Sequence, residues 1–256
     1  MEISNFGVTE RNLEQKERDK NSVLSEYLKS VAGHETETFV AKYPDVVDKD
    51  TCEQIIKEVD DLWDKLELEI NSDEWNSTNK WFDECFNNGI IYEVKEMGLN
   101  RGRQGIEEEH IPLNEFPHSR QDRALFIDNP YYSPSIRKFN DWLQICLELY
   151  TKKFGISHRL ESRTNKIHQV EPFHNGYAAL HYEQADGNTS KRNITWLLYL
   201  TDVETGGETE MAAYGIRVPP KAGTLIFFPA AYTHLHRGLV PHQRKCYITG
   251  WFECIE

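Results

Sequence analysis

The chain has 256 residues, 39% hydrophobic and 28% charged, enough for one well-filled core with accessory elements or for two small domains. A formal net charge of −13 supplies no positive field for bulk nucleic acid or an anionic membrane surface. The longest apolar runs, such as Leu225-Ile226-Phe227-Phe228, are far too short to span a bilayer, and no basic-then-apolar leader opens the sequence, so the expected location is cytoplasmic.

Residues 1–40 are charged and poor in aromatics. They read as an arm, helical around Leu13, Leu24 and Leu28 or partly disordered. Asp48 or Asp50 can cap a helix running to about Glu69, whose apolar set Ile55, Ile56, Val59, Leu62, Trp63 and Leu66 follows the 3.6-residue period. Residues 71–130 are rich in Asn, Gly, Asp and Pro and suggest lid loops, with Trp75, Trp81, His110, Arg120 and Arg123 available to line an entrance. Ser133 can cap a second helix begun by Pro134, with Ile136, Phe139, Leu143, Ile145 or Cys146, and Tyr150 as its buried stripe and Gly155 as its stop.

From about residue 158 the pattern changes to short β-branched and aromatic runs: 166–170, 177–182, 193–200, 208–212, 224–228, 234–239 and 245–252. Turn signals such as Asp186-Gly187-Asn188 and Gly206-Gly207 separate them. The expected fold is α+β, an antiparallel jelly roll with supporting helices, mostly N-terminal. The expected division is an arm over 1–40, helical support and lid loops over 41–157, and the β core over 158–256. Five cysteines (Cys52, Cys85, Cys146, Cys246, Cys254) form no CxxC pair and read as reduced, mostly buried thiols.

The chemistry-bearing residues lie in the last third. His181-Tyr182-Glu183 places an imidazole and a carboxylate two residues apart, on one face if the segment is a strand. Alone, such a pair is most simply a surface His beside a surface Glu. Thr233-His234-Leu235-His236-Arg237-Gly238 supplies further imidazoles. Strand alternation does not separate His234 from His236, although Gly238 allows close backbone approach beside the latter. Two imidazoles and one carboxylate suit one face of a non-haem Fe(II) octahedron, with three positions left open. Nine residues beyond His236 stands Lys245, which shares a strand face with Tyr247, Thr249 and Trp251. A buried lysine needs a partner, and a bound carboxylate would provide one. Arg244 is the competing anchor, since only one of the two neighbours can face inward. Tyr199 is a core residue or a hydroxyl for the same carboxylate.

These stretches, with Leu198–Val203, Gly206-Gly207-Glu208-Thr209 and Gly223–Pro229, resemble the 2-oxoglutarate and Fe(II)-dependent dioxygenases. The resemblance is nearest to the branch related to prolyl hydroxylases, phage and marine-microbe members included. It covers about residues 166–252, roughly a third of the chain. It implies a double-stranded β-helix with iron on His181, Glu183 and His236. It places the far carboxylate of 2-oxoglutarate on Lys245, with Tyr199 or Thr209 beside it. The implied reaction consumes O2, releases succinate and CO2, and hydroxylates a C–H bond of a peptide, a protein residue or a small molecule. Most relatives carry Asp in place of Glu183, and many carry Arg in place of Lys245. Glu remains an oxygen donor, while Lys gives up the bidentate fork of Arg. The competing readings are a cupin-like metalloprotein that does not use 2-oxoglutarate and a non-catalytic binding scaffold.

Overall fold

A computed structural model of the chain describes residues 26, 33–35, 38–70, 122–126, 134–185 and 187–255. The segments around Leu13, Leu24, Trp75, Trp81, His110, Arg120 and Ser133 lie outside the described residues, as does the side chain of Arg123.

Two helices flank one side of the molecule. The first, α1 (Lys49–Ile70), starts at Asp48, whose carboxylate accepts from the Thr51 backbone N–H at 2.7 Å and from the Thr51 hydroxyl at 2.9 Å. That bond satisfies one of the orphan donors of the first turn. The second, α2 (Pro134–Phe154), ends at Gly155, whose φ of +68° reverses the chain while Ile156 N–H bonds back to Thr151 O at 2.9 Å. Ile136, Phe139, Leu143, Cys146, Leu147 and Tyr150 are its buried stripe.

Seven antiparallel strands form the major sheet: β1 (Gly33–Glu35), β2 (Val40–Tyr43), β3 (Arg123–Phe126), β4 (Leu160–Val170), β5 (Arg192–Tyr199), β8 (Leu225–Pro229) and β10 (Lys245–Cys254). Their spatial order is β1-β2-β8-β5-β10-β4-β3. A second sheet contains β6 (Thr209–Met211), β7 (Ile216–Val218) and β9 (Arg237–Gly238), in the order β7-β6-β9. The sheet therefore recruits β1, β2 and β3 from outside the expected β core. Short strands of this kind carry too few residues to show a period, and pairing with a long neighbour stabilises them.

Alternation divides the central strands into two faces. Ile194, Trp196 and Leu198 of β5 and Cys246, Ile248 and Phe252 of β10 pack with α1 and α2 in the larger apolar core. Trp196 lies so close to Gly250 that a Cβ there would sit 2.5 Å from the indole ring, so β10 needs glycine at that point. The opposite face carries Leu197 and Tyr199 of β5 and Tyr247 of β10, which meet Val170, Met211, Val218, Ile226 and Phe228 in a smaller core beneath the second sheet. Three described cysteines, Cys52, Cys146 and Cys246, are fully buried packing residues, and burial pushes their thiols up, Cys52 to about 11 and Cys246 to about 12. Among the described residues, no helix is long and apolar enough to cross a membrane.

Two expected strands are corrected. The runs 177–182 and 234–239 are mostly irregular. They meet through the bridge His181↔His236, with N–H to O bonds of 3.0 and 2.9 Å, and through Gly238 N–H to Tyr177 O at 2.8 Å. Beyond it, Glu183 and Gln184 N–H both turn to Ala230 O, and Tyr232–His234 winds into a 3-10 turn. Composition suits strands here, but these tertiary bonds take most of the backbone out of the ladders, leaving Arg237–Gly238 paired with β6 as β9.

Candidate active site

His181, Glu183 and His236 converge although their segments are irregular, each offering a ligand atom within 4.8 Å of the others. The Glu183 Oε1 atom lies 3.3 Å from His181 Nε2 and 3.6 Å from His236 Nε2. Both rings are oriented through their other nitrogen. His181 Nδ1–H donates to Ala179 O at 2.8 Å, and His236 Nδ1–H donates to His234 O at 2.9 Å. A proton on Nδ1 leaves each Nε2 lone pair aimed at the common point, as a metal ligand requires. Tyr177 packs edge-on against His181 and Phe228 against His236.

The electrostatics suit a cation at that point. Burial opposes the charge on Glu183, but hydrogen bonding and attraction from His181 and His236 outweigh it and hold the carboxyl well below its ordinary range. Burial likewise drives His181 toward its neutral, ligating form against the pull of Glu183. The second Glu183 oxygen accepts from Arg192 Nη1 at 3.0 Å, and the Arg192 guanidinium stacks 3.6 Å over the ring of Trp251. Arg192 is the residue that sequence reasoning missed. It opens β5, nine positions from Glu183, and nothing local in the sequence marks the contact. The face shared by Trp251 and Lys245 was readable, but not what lies on it.

His234 is not part of this cluster. Its ring turns away from the cavity, and Nε2–H donates to Thr38 O at 2.6 Å. The two neighbouring cations also separate. Arg244 faces α1, bonding Asp60 through Nη1 at 3.0 Å and Nη2 at 2.6 Å, and this pairing raises its pKa further. Lys245 faces inward, 4% exposed, and burial lowers its pKa to about 8, with only partial compensation from Glu208. Among the described residues no acceptor bonds its Nζ; the nearest aromatic ring is Tyr247, at 4.8 Å. Gly238 stands over it, though a Cβ there would make only ordinary contact at 3.7 Å, so space alone does not demand glycine. Thr209 lines the same space. Tyr199 does not reach it. Its hydroxyl donates to Thr209 Oγ1 at 2.7 Å and lies 3.3 Å from Val218 O, so its contact is with Thr209 rather than with the cavity.

One cavity of about 190 Å³ is lined by both the triad and Lys245. Residues 166–253 match the family model described as the 2OG-Fe(II) oxygenase superfamily. This segment is a 2OG-Fe(II) oxygenase domain. Prolyl 4-hydroxylase subunit alpha-1 of Homo sapiens is 25% identical over 166 residues, which span 61% of this chain and 29% of the relative. The chain thus spans less than a third of the length of the curated relatives it matches. Among solved structures, a prolyl hydroxylase from Trichoplax adhaerens, in complex with a hypoxia inducible factor peptide fragment, superposes with a TM-score of 0.55. That alignment has 12% identity and covers 93% of this chain and 92% of the other. The viral collagen prolyl hydroxylase of Paramecium Bursaria Chlorella virus-1, in its 2OG complex, superposes with a TM-score of 0.51 at 16% identity, covering 85% and 97%. At such identity the likeness establishes the fold, a double-stranded β-helix, for the oxygenase domain. The donor set is chemically suited to Fe(II): two neutral imidazole nitrogens, one carboxylate, and space beside them.

Proposed function

We propose that the chain is an Fe(II)- and 2-oxoglutarate-dependent dioxygenase that hydroxylates a residue, proline first among candidates, in a peptide or protein. The observation that carries this reading is Lys245: a buried ammonium with no acceptor among the described residues, in the same cavity as the His-Glu-His triad. A buried cation is costly without a counter-charge, and a dicarboxylate that reaches the triad supplies one.

His181 and His236 would hold the iron through Nε2 and Glu183 through Oε1. When bound, iron and 2-oxoglutarate supply the oxidising chemistry, in which one oxygen atom of O2 enters succinate and the other the substrate, with loss of CO2. The protein's own part is orientation and shielding. Lys245 fixes the far carboxylate of the cosubstrate. Tyr199, bonded to Thr209 Oγ1 at 2.7 Å, holds the Thr209 hydroxyl beside that carboxylate. Arg192 draws the second Glu183 oxygen away from the metal position and so favours ligation through Oε1 alone. Leu197, Val170 and Tyr247 supply apolar wall between these groups.

The peptide substrate is supported by the prolyl hydroxylases among the relatives, and the net charge of −13 favours a basic one. The test is aerobic incubation of iron-loaded protein with 2-oxoglutarate and a set of proline-containing basic peptides. Succinate release coupled to a one-oxygen mass gain on a peptide is expected. Coupled oxidation of a small molecule, with every peptide inert, would overturn the substrate class.

A further inference from the structure

His234 and His236 stand two residues apart, yet their rings go to opposite sides of the segment. A 3-10 turn, Tyr232–His234, ends at His234, and the chain is no longer in regular register where the two side chains leave it. His234 is 3% exposed. Its Nε2–H donates to Thr38 O at 2.6 Å, and its Nδ1 accepts from Thr233 Oγ1 at 3.0 Å, so both ring nitrogens are used and the tautomer is fixed. The ring of Tyr214 covers it at 5.0 Å. Its backbone N–H closes the turn onto Ala231 O at 2.9 Å. Its carbonyl is the group that accepts from His236 Nδ1.

We propose that His234 is a positioning residue for the metal centre, tying the chain at Thr38 to the ring orientation of the ligand His236. The argument is mechanical. A single 3-10 turn has poor hydrogen-bond geometry and is weak by itself. Rotation of the peptide after His234 would swing its carbonyl away from His236 Nδ1 and release that ring. The side chain of His234, bonded at both nitrogens, holds the residue against this rotation. Thr38 is a firm anchor because it lies just before β2, which pairs with β8 in the major sheet. Were filling space the whole role, an apolar ring would serve without the cost of burying two polar nitrogens. The chain near Thr38 is thus part of the apparatus that holds the metal ligand, although it contributes no ligand.

This inference rests on the proposed metal triad, and its test separates the two. Zinc(II) binding to the full chain is measured by competition with a chromophoric chelator, without O2 or cosubstrate. His234→Phe keeps the ring volume and removes both bonds. His234→Gln restores a donor toward Thr38. The expected result is a loss of zinc affinity of about tenfold in His234→Phe, the lower end for groups that support a metal ligand, and recovery of most of it in His234→Gln. In the zinc-loaded wild-type protein the His236 Nδ1 proton is followed by NMR, and it exchanges with water faster in His234→Phe. A folded His234→Phe protein with wild-type zinc affinity and wild-type exchange overturns the proposal. If that variant does not fold, Thr233→Val decides, because Thr233 is exposed and its loss frees only the tautomer lock. A fall of about threefold is expected there, and unchanged affinity overturns the proposal. Failure of the wild-type protein to bind zinc would instead contradict the triad and everything built on it.

Discussion

The two ends of the cavity are held by different means. At the proposed metal end, two largely irregular segments meet through the His181↔His236 bridge and the Gly238 N–H to Tyr177 O bond, and side-chain bonds to main-chain carbonyls aim the rings of His181 and His236. At the proposed cosubstrate end, Lys245 sits at the start of β10, paired with β4 on one side and two residues before the β5 pairing begins at Tyr247 on the other. Regular strand geometry points it inward and sends Arg244 outward to Asp60. Ladder bonds thus place Lys245, the proposed cosubstrate anchor, and a small set of individual polar bonds arranges the proposed metal ligands. The metal end should therefore respond to the loss of single hydrogen-bonding groups, whereas the Lys245 end should respond chiefly to the loss of charge.

The largest expected effect is at the metal end. His236→Ala should lower Fe(II) affinity by more than about 100-fold, beyond what loss of a supporting group causes. Anaerobic equilibrium dialysis measures it, and retention of tight iron binding would remove His236 from the triad. At the other end the test is pH. Because burial lowers the Lys245 pKa to about 8, its ammonium is present below that value and lost above it. Apparent 2-oxoglutarate affinity should then fall by about tenfold per pH unit above the pKa of the free protein, whereas Lys245→Arg, which stays protonated, should flatten the profile. Titrations between pH 7 and 10 on both proteins check this, and parallel profiles would exclude Lys245 as the charge involved. Arg192→Met keeps bulk beside Trp251 but leaves the second oxygen of Glu183 without its cation. A loss of about tenfold in iron affinity is expected with little change in 2-oxoglutarate affinity at saturating iron. The smallest effect is on the helix side. Asp60→Ala removes the bonds to Arg244 and to Gln169 Nε2, and because Arg244 is 35% exposed the cost should be about 1 kcal/mol of stability. A urea midpoint shift with unchanged ligand affinities is expected, and a large loss of cosubstrate binding would show that this outer pair, too, positions Lys245.

The same contrast explains what could be read from the sequence. β10 is a long strand, so its two-residue period puts Lys245, Tyr247, Thr249 and Trp251 on one face, and all four line the cavity. The helices were equally legible, because Asp48, Pro134 and Gly155 are local signals acting on local backbone. The segments around His181 and His236 have a composition that suits strands, but tertiary bonds to Ala230 and Thr38 shape them. Alternation left His234 and His236 equivalent, and only the 3-10 turn separates them. Arg192 was invisible for the same reason, since its meaning depends on two partners, Glu183 and Trp251, on different segments.

The most direct test of the central claim is an anaerobic absorption titration of the metal-free protein with Fe(II) and then 2-oxoglutarate, run beside Lys245→Ala. A visible metal-to-ligand charge-transfer band should grow in the wild-type protein. It should require on the order of 100-fold more 2-oxoglutarate in the variant, as expected when one partner of a buried charge pair is removed. Bound iron with no such band at saturating 2-oxoglutarate would contradict the account and leave a metalloprotein of another kind.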